Sequence, residues 1–439
     1  MLSPIEQLPA ELVDLITADF DLPEYQHFRL ASRQTHHVTR PSFYRCYFAR
    51  RTTTLAASSL DRLLAASACR HVAHHVSSLY IRIPTRTTIS ILRDISRVGI
   101  YPPPKRFPTI TDVRWGDCSH EVVAFDQVMS GETNDTNGII DQLSRAMRRF
   151  SNLKAVHIFY IRHTGSYRDF MSSDPPADSF KITSLSFKTI VAAVVKSGVH
   201  IEQLNTNEPS EINKASKAGK SVFILPLALD LPADQFRALG PAFSSLRVLV
   251  LSLRFDPPVY RRDRQPYQDY FSPFINCATA LEELRLSIQN GFINPKSTTN
   301  KQVVTQSVAR SVRLPRLKLF AVRHAVCLSA DMLIFIKAHA SSLRHLNMHD
   351  CCLPDGGWTT VLESFRELGL EYLRLSNLKY PLGDVVPHFV LRWPTSRDGT
   401  LKRHIVLDVR RKSERRSMDE MLTDCTSRMH PTMYPPTPP

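Results

Sequence analysis

The chain has 439 residues, which is enough for two or three ordinary domains or for one long repeat array. Hydrophobic residues make up 43% of it and charged residues 22%, so the composition excludes a wholly disordered chain. With 56 Lys and Arg against 41 Asp and Glu, the net charge of +15 permits a nucleic acid, an anionic membrane or an acidic protein as partner, without choosing among them.

The first fifty residues are predicted to form three short helices. Pro9 suits the first position of the first helix, and Leu12 and Ile16 lie four residues apart on one of its faces. A second helix is expected after Leu22, and a third is expected to begin near Pro41. The third helix carries four aromatic residues, which are Phe43, Tyr44, Tyr47 and Phe48. Three small helices cannot bury this much apolar surface alone, so the module must pack against something else.

From about residue 55 onward, helical segments alternate with short apolar strands of the form Leu-x-x-Leu-x-Leu. Ile139, Leu143 and Met147 share one helix face, and the following segment 153–158 alternates as a half-buried strand does. Further units end in the strand segments 246–251, 281–286, 343–348 and 370–375, and weaker copies start at Leu79, Ile201 and Leu317.

This recurrence predicts a leucine-rich-repeat-like solenoid, in which each strand lines one face and each helix covers the back. The spacing is irregular, because successive starts at 246, 281, 317, 343 and 370 differ by 35, 36, 26 and 27 residues. Ordinary repeats run about 20–29 residues, so the earlier intervals need insertions. In the last unit Asp355 is expected to cap the helix and Gly369 to end it. A generic α/β domain is the alternative interpretation.

Several short motifs near the N-terminus follow one another in a defined order. They are Leu8-Pro9, Glu11-Leu12, Ile16, Leu22, the stretch 29–33, and Pro41 followed by Phe43-Tyr44. In this order and spacing, residues 4–48 resemble the F-box family. The resemblance implies a three-helix box that binds a Skp-family adaptor, which bridges to a cullin scaffold. The expected adaptor-binding residues are Leu8, Pro9, Leu12, Ile16 and Leu30, with Leu12 and Ile16 suiting the core of the box equally well.

The segment 58–81 is similar to the helix and first strand that follow the box in many fungal F-box proteins. The resemblance implies an F-box over residues 1–50 and an α/β, leucine-rich-repeat-like substrate-binding domain over 51–408. Residues 409–439 are expected to form a basic, Pro-rich disordered tail. The implied function is that of the substrate-recognition subunit of an SCF-type (Skp–cullin–F-box) ubiquitin ligase. Such a subunit recruits a protein for ubiquitination and is not itself an enzyme.

Every second residue of a repeat strand should be exposed on the strand-lined face. Arg285, Arg344 and Arg374 are the candidate substrate-binding residues there, although the register of the strands is open. Arginine forks suit carboxylate and phosphate groups, so the expected target is an acidic or phosphorylated protein.

The sequence offers little support for catalysis or for a bound cofactor. It contains no phosphate-binding loop, no dinucleotide fingerprint, no nucleophile elbow and no HExxH motif. The densest group of ligand-type residues is Cys69, His71, His74 and His75, between a predicted helix and strand. A structural role is the better interpretation of this group, so neither a metal nor a cofactor is expected.

Eight cysteines without a CxxC pair favour free thiols in a reducing compartment. The beginning of the chain lacks the features of a signal peptide, and no apolar run reaches 18 residues. The expectation is therefore an intracellular protein, cytoplasmic or nuclear, without a membrane partner. Two alternative functions remain open. One is a repeat-type interaction scaffold without ligase function, and the other is a basic protein associated with nucleic acid.

Overall fold

A computed structural model of the chain describes residues 3–83, 136–160, 177–206, 222–255, 269–290, 295–355, 358–365, 368–376 and 406–410. The expected tail at 409–439 lies outside these ranges except for its first two residues. Those two residues continue a strand, so the sheet extends past the expected boundary at residue 408.

The N-terminal module consists of a 3₁₀ turn (Pro4–Gln7) and three helices. The helices are α1 (Ala10–Ile16), α2 (Leu22–Leu30) and α3 (Arg33–Phe48). Asp21 begins α2, because its carboxylate accepts from the Glu24 amide at 2.9 Å while the Glu24 carboxylate accepts from the Asp21 amide.

The third helix does not begin near Pro41, as the sequence suggested. It begins eight residues earlier, because the Ser32 hydroxyl accepts from the Thr35 amide at 3.1 Å and Thr35 in turn accepts from the Ser32 amide. Pro41 lies inside the helix on an exposed position, so its ring interrupts the backbone hydrogen bonding without ending the helix.

The remainder of the described chain is a mixed α/β structure built on one 11-stranded sheet. The strands are β1 (Arg50–Thr54), β2 (Ser78–Ile83), β3 (Ala155–Tyr160), β4 (Gln203–Asn205), β5 (Phe223–Ile224), β6 (Val248–Phe255), β7 (Glu283–Asn290), β8 (Leu319–Arg323), β9 (His345–His349), β10 (Tyr372–Ser376) and β11 (Val406–Arg410). They lie side by side in chain order, except that β5 pairs only with β6 beside the main path. All neighbouring strands are parallel apart from β10 and β11, which are antiparallel.

Helices connect most of these strands. They are α4 (Ala57–Ala68), α5 (Arg70–Ala73), α6 (Thr136–Arg149), α7 (Ala177–Ser197), α8 (Ala233–Phe243), α9 (Phe271–Asn276), α10 (Pro295–Ser311), α11 (Ser329–His339) and α12 (Trp358–Ser364). Among the helices of the described ranges, none combines the length and apolar composition needed to cross a bilayer.

The two faces of the sheet differ in burial. Alternate strand residues form the core with the helices, and Leu79, Val156, Leu249 and Leu284 are all fully buried in one cross-strand row. Burial of each such side chain contributes roughly 1.5–3 kcal/mol, so this row is a main source of stability. The second face is buried along β3 and over most of β6, and Tyr80 is buried on β2, whereas on β7 to β10 the described residues of this face are exposed or half-buried apart from Ser287.

The last helix–strand unit differs from its expected form. Its helix α12 begins at Trp358 and ends at Ser364, before Gly369. Asp355 does not cap this helix. Its carboxylate instead accepts from the Ser329 amide at 2.8 Å and from the Ser329 hydroxyl, at the first turn of α11. The side chain thus satisfies a free amide of the preceding unit and ties two consecutive units together.

Candidate protein-interaction surfaces

The N-terminal module exposes most of the large apolar side chains that lie on the described surface. Eight such residues are exposed in the described ranges, and six of them fall between residues 5 and 30. We call these six the apolar patch: Ile5, Leu12, Leu15, Ile16, Leu22 and Leu30. Leu15 and Leu30 are the most exposed, at 72% and 79%. Exposed large apolar residues concentrated on a small module are typical of a protein-interaction surface.

The patch stays exposed because other side chains fill the core of the module. Helix α1 buries only Val13. Tyr25 is 2% exposed, and its hydroxyl lies 2.7 Å from the Ser42 hydroxyl. Its ring packs against Phe43 and Tyr47, with both pairs of ring centroids 5.5 Å apart. These aromatic contacts leave no place in the core for the remaining apolar residues of α1.

The structure places the five expected adaptor-binding residues at different depths. Leu12, Ile16 and Leu30 belong to the apolar patch, Pro9 is exposed at the start of α1, and Leu8 is half-buried. Leu12 and Ile16 are therefore surface residues, not core. Leu22 is a motif position that was not among the expected adaptor-binding residues, and it also belongs to the patch. The motif positions gave no signal for the other two members, Ile5 and Leu15, because the exposure of these side chains depends on how the helices of the module pack.

The module joins the sheet without a linker. Helix α3 runs through Ala49 directly into β1, and the Ala49 carbonyl accepts from the amides of Ser77 and Ser78 at 2.9 Å each. The Tyr44 ring stacks on the His75 ring, with centroids 5.1 Å apart and planes 7° apart. These contacts fix the end of α3 against the first edge of the sheet.

Two histidines of segment 69–75 have structural contacts, while Cys69 and His71 are exposed. His75 stacks on Tyr44, and His74 Nδ1 lies 2.9 Å from the Ser151 hydroxyl. In the part of the chain that the structure describes, no group of three or more His, Cys, Asp or Glu side chains could hold a metal ion.

Burial raises the pKa of the Cys351 thiol to about 12, so that thiol is protonated near neutral pH and a poor nucleophile.

Strand register brings two of the three candidate arginines together on the second face. Arg285 on β7, Ala321 on β8, Asn347 on β9 and Arg374 on β10 are direct partners in one cross-strand row. Residues in one row of a parallel sheet point to the same side. Arg285 and Arg374 therefore share the exposed part of the second face.

Arg344 does not belong to that row. It precedes β9, and its guanidinium donates to the carbonyls of Leu343 and Ser341 at 3.0 Å each. Arg344 is the residue immediately before its strand, and Arg247, Glu282 and Lys318 hold the same position before β6, β7 and β8. We call the ion-paired group Arg247, Glu282 and Lys318 the charge ladder. On β9 the residue equivalent to Arg285 is Asn347. The prediction that Arg344 lies on the strand face beside Arg285 is therefore wrong, because Arg344 precedes the strand.

The charge ladder is strongly paired. Arg247 donates from Nε and Nη2 to the two carboxylate oxygens of Glu282 at 3.1 and 3.0 Å, and Lys318 donates to the same carboxylate at 3.0 Å. These hydrogen bonds lower the pKa of Glu282 to about 2, and those from Arg247 have the largest effect. Arg247 is held by the same contact, and its pKa is raised.

A further arginine, Arg323, lies on the second face beside Arg285 and Arg374. It is exposed at the end of β8, two residues after Ala321, and it partners Ser287 on β7 and His349 on β9. We call Arg285, Arg323 and Arg374 the arginine triangle. Sequence reasoning missed Arg323, because it follows a weak copy of the repeat motif and lies outside the six motif positions.

No model of a protein family matches the chain, and no curated protein matches it either. The assignment of a function therefore depends on the apolar patch and on the second face of the sheet.

Proposed function

We propose that the chain is an F-box-type subunit of a Skp–cullin–F-box ubiquitin ligase. In this proposal the N-terminal module binds a Skp-family adaptor, and a leucine-rich-repeat-like domain captures the protein to be ubiquitinated. The observation that carries the proposal is the apolar patch: six of the eight exposed large apolar side chains of the described residues lie on the module whose motifs resemble an F-box.

The energetics of the module support a permanent partner. Fully burying an exposed Leu or Ile side chain contributes roughly 1.5–3 kcal/mol. The six side chains of the patch are 37–79% exposed, so covering them would add a fraction of that value for each. The patch includes Leu15 and Leu30, which the fold of the module leaves mostly exposed to water. An adaptor that covered them would form an interface with an apolar centre, as stable protein complexes have.

The sheet supports the repeat-like part of the proposal. Strands β6 to β10 are short, parallel and adjacent in chain order, and a helix precedes each of them. Such an arrangement is typical of leucine-rich repeats, in which each unit packs on its chain neighbours and leaves one strand face open for binding. In the described part of the sheet, that open face lies on β7 to β10.

The role of such a subunit is to hold two reactants together, and it adds no catalytic group. A substrate bound on the sheet would be carried at a defined distance from the adaptor, because α3 continues into β1 through the single residue Ala49. Proximity raises the effective concentration of the substrate at the ubiquitin-conjugating enzyme, which the cullin brings to the complex.

The test is co-purification of the tagged full-length chain with a Skp-family adaptor. The test variant is Leu12→Asp with Ile16→Asp, which places two charges in the apolar patch on exposed positions. The matched control is Leu227→Asp, because Leu227 is 48% exposed but lies far from the module in sequence, after β5. We expect the adaptor with the native chain and the control, and its loss from the double variant with an unchanged circular dichroism spectrum.

Failure of the folded native chain to retain any adaptor would contradict the ligase assignment. The chain would then be better described as a repeat-type scaffold. Loss of the adaptor from the Leu227→Asp control as well would show that the assay reports surface hydrophobicity in general, and it would remove the support from the apolar patch.

A further inference from the structure

The end of α2 is held against α3 by one guanidinium group. Arg29 Nη2 lies 3.0 Å from His36 Nε2, and Arg29 Cζ lies 3.8 Å from the centroid of the Phe43 ring. His36 and Phe43 are seven residues apart, so they lie on one face of α3. The guanidinium therefore lies between an imidazole and an aromatic ring. We call Arg29, His36 and Phe43 the α2 clamp.

The hydrogen bond of the α2 clamp has only one possible direction. A guanidinium has donors and no acceptor, and it stays protonated in proteins, so His36 Nε2 must accept from Arg29 Nη2. An imidazole offers a lone pair only when it is neutral, because both ring nitrogens of the charged form carry protons. The contact between Arg29 and His36 therefore exists only while His36 is unprotonated.

The surroundings of the α2 clamp are cationic. Arg33 lies three residues before His36 on α3 and Arg40 lies four residues after it, so both are its neighbours on the helix surface. The groups that act electrostatically on the Arg29 guanidinium are Tyr44, Tyr25 and Arg40. In the described part of the chain, no carboxylate forms an ion pair with Arg29, Arg33 or Arg40. Protonation of His36 would add a fourth positive charge to this group.

The α2 clamp acts on the part of α2 that carries Leu30. Leu30 follows Arg29 directly as the last residue of α2, and at 79% it is the most exposed member of the apolar patch. Tyr25, one turn before Arg29, anchors the middle of the helix through the Ser42 hydroxyl on α3. The clamp adds a second anchor at the end of the helix. The direction of Leu30 relative to the rest of the patch therefore depends on the clamp.

We propose that Arg29 is a positioning residue for the apolar patch and that protonation of His36 releases it. The position of Leu30 is fixed while His36 is neutral, and it is lost as the pH falls through the range in which histidines titrate. Arg29 acts through Leu30 and need not touch the partner. This inference deepens the proposed function and rests on it for the identity of the partner, whereas the clamp can be measured on the chain alone.

The first experiment measures the affinity of the full-length chain for the Skp-family adaptor at about pH 7.5 and about pH 5.5, on either side of the usual histidine range. The test variant is His36→Gln, because the glutamine carbonyl can accept from Arg29 but cannot titrate. The matched control is His37→Gln, at the neighbouring exposed position. On acidification, the native chain and the control should lose about threefold more affinity than His36→Gln, in keeping with the modest energies of exposed charged groups.

Substitutions of Arg29 separate hydrogen bonding from packing. Arg29→Met keeps a long stem beside Phe43 but donates nothing, whereas Arg29→Lys keeps a donor and the charge. At about pH 7.5 we expect Arg29→Met to bind the adaptor about threefold more weakly, with an unchanged circular dichroism spectrum, and Arg29→Lys to restore part of the affinity. Arg29→Met should also show the smaller pH dependence of His36→Gln. A purely structural role of Arg29 would lower the affinity without changing that dependence.

The second experiment needs no adaptor. Amide hydrogen exchange of residues 28–32 in the free chain is expressed as protection factors, which removes the intrinsic pH dependence of exchange. Between about pH 7.5 and 5.5, protection should fall about threefold more in the native chain than in His36→Gln. Because this result does not depend on the partner, failure of the clamp and failure of the adaptor assignment are separate outcomes.

Three results would overturn the proposal. The first is the same pH dependence of protection in the native chain and in His36→Gln. The second is a native chain that binds the adaptor and an Arg29→Met variant that binds it equally well at both pH values. The third is a loss of the pH dependence from the His37→Gln control as well, which would assign the effect to the charge of the segment and not to the clamp.

Discussion

The imidazole of His157 stacks on the phenol ring of Tyr80, with ring centroids 4.5 Å apart and planes 22° apart. The two residues are direct partners on β2 and β3, and both are at least 94% buried on the second face of the sheet. Burial disfavours the charged imidazolium, and Arg50 adds repulsion, so the pKa of His157 falls to about 4. The folded chain therefore keeps this histidine neutral over most of the acidic range.

Stability should fall as the pH drops from about 6.5 to 4. In that pH range His157 takes up a proton in the unfolded chain but not in the folded chain. The stabilisation linked to the neutral imidazole is therefore complete above pH 6.5 and is lost as the pH approaches the folded pKa. The loss from this residue amounts to about 3 kcal/mol at most. The His157→Phe variant keeps a ring against Tyr80 but cannot titrate. Urea unfolding between pH 7 and 4 should give a shallower decline for the variant, and parallel declines would contradict the assignment.

The charge ladder should make a small contribution to the free energy of unfolding, and this contribution should depend on pH. Because the pKa of Glu282 is lowered to about 2, its contribution is present above pH 4.5 and is lost as the pH falls toward 2. Glu282→Gln should lower the free energy of unfolding at pH 7 by about 1 kcal/mol, since the ion pairs are partly exposed to water. Glu363→Gln on α12 removes the same charge from an exposed position and serves as the control. An equal effect of both substitutions on the denaturation midpoint would rule out a specific role for the ladder.

Tyr25 should be the main support of the N-terminal module. Tyr25→Ala removes a buried ring with aromatic neighbours on both sides and should destabilise the module by about 3–5 kcal/mol. Tyr25→Phe removes only the hydroxyl that meets Ser42 and should cost about 1 kcal/mol. Amide hydrogen exchange of α2 and α3 measures the local stability of the module in each variant. Native-like protection in Tyr25→Ala would show that the aromatic cluster does not hold the module together.

The sequence predicted the buried strand positions better than the exposed ones. Segment 153–158 was expected to be a half-buried strand, and β3 spans Ala155–Tyr160 with Val156 and Ile158 fully buried. Apolar periodicity is a local property, so it can be read from one segment. The face that a polar residue occupies depends on its place within the repeat. Arg285 and Arg374 follow the second motif leucine of their strands, whereas Arg344 follows the first leucine and so precedes β9.

Other features depended on contacts between segments distant in sequence. The exposure of Leu12 and Ile16 is set by Tyr25 and Phe43, which belong to other helices and fill the core first. Asp355 satisfies an amide of α11 and not of its own helix, because the two units lie side by side in the fold. Neither relationship leaves a pattern within a short window of sequence.

The proposed binding of a Skp-family adaptor to the apolar patch can be measured directly. The most direct measurement is titration calorimetry of the purified full-length chain with the purified adaptor at several temperatures. We expect saturable one-to-one binding with a negative heat-capacity change, the mark of apolar burial, and at least tenfold weaker binding by the Leu12→Asp, Ile16→Asp variant. A folded native chain that gives no binding heat at any of these temperatures, or binding that the double variant leaves unchanged, would contradict it.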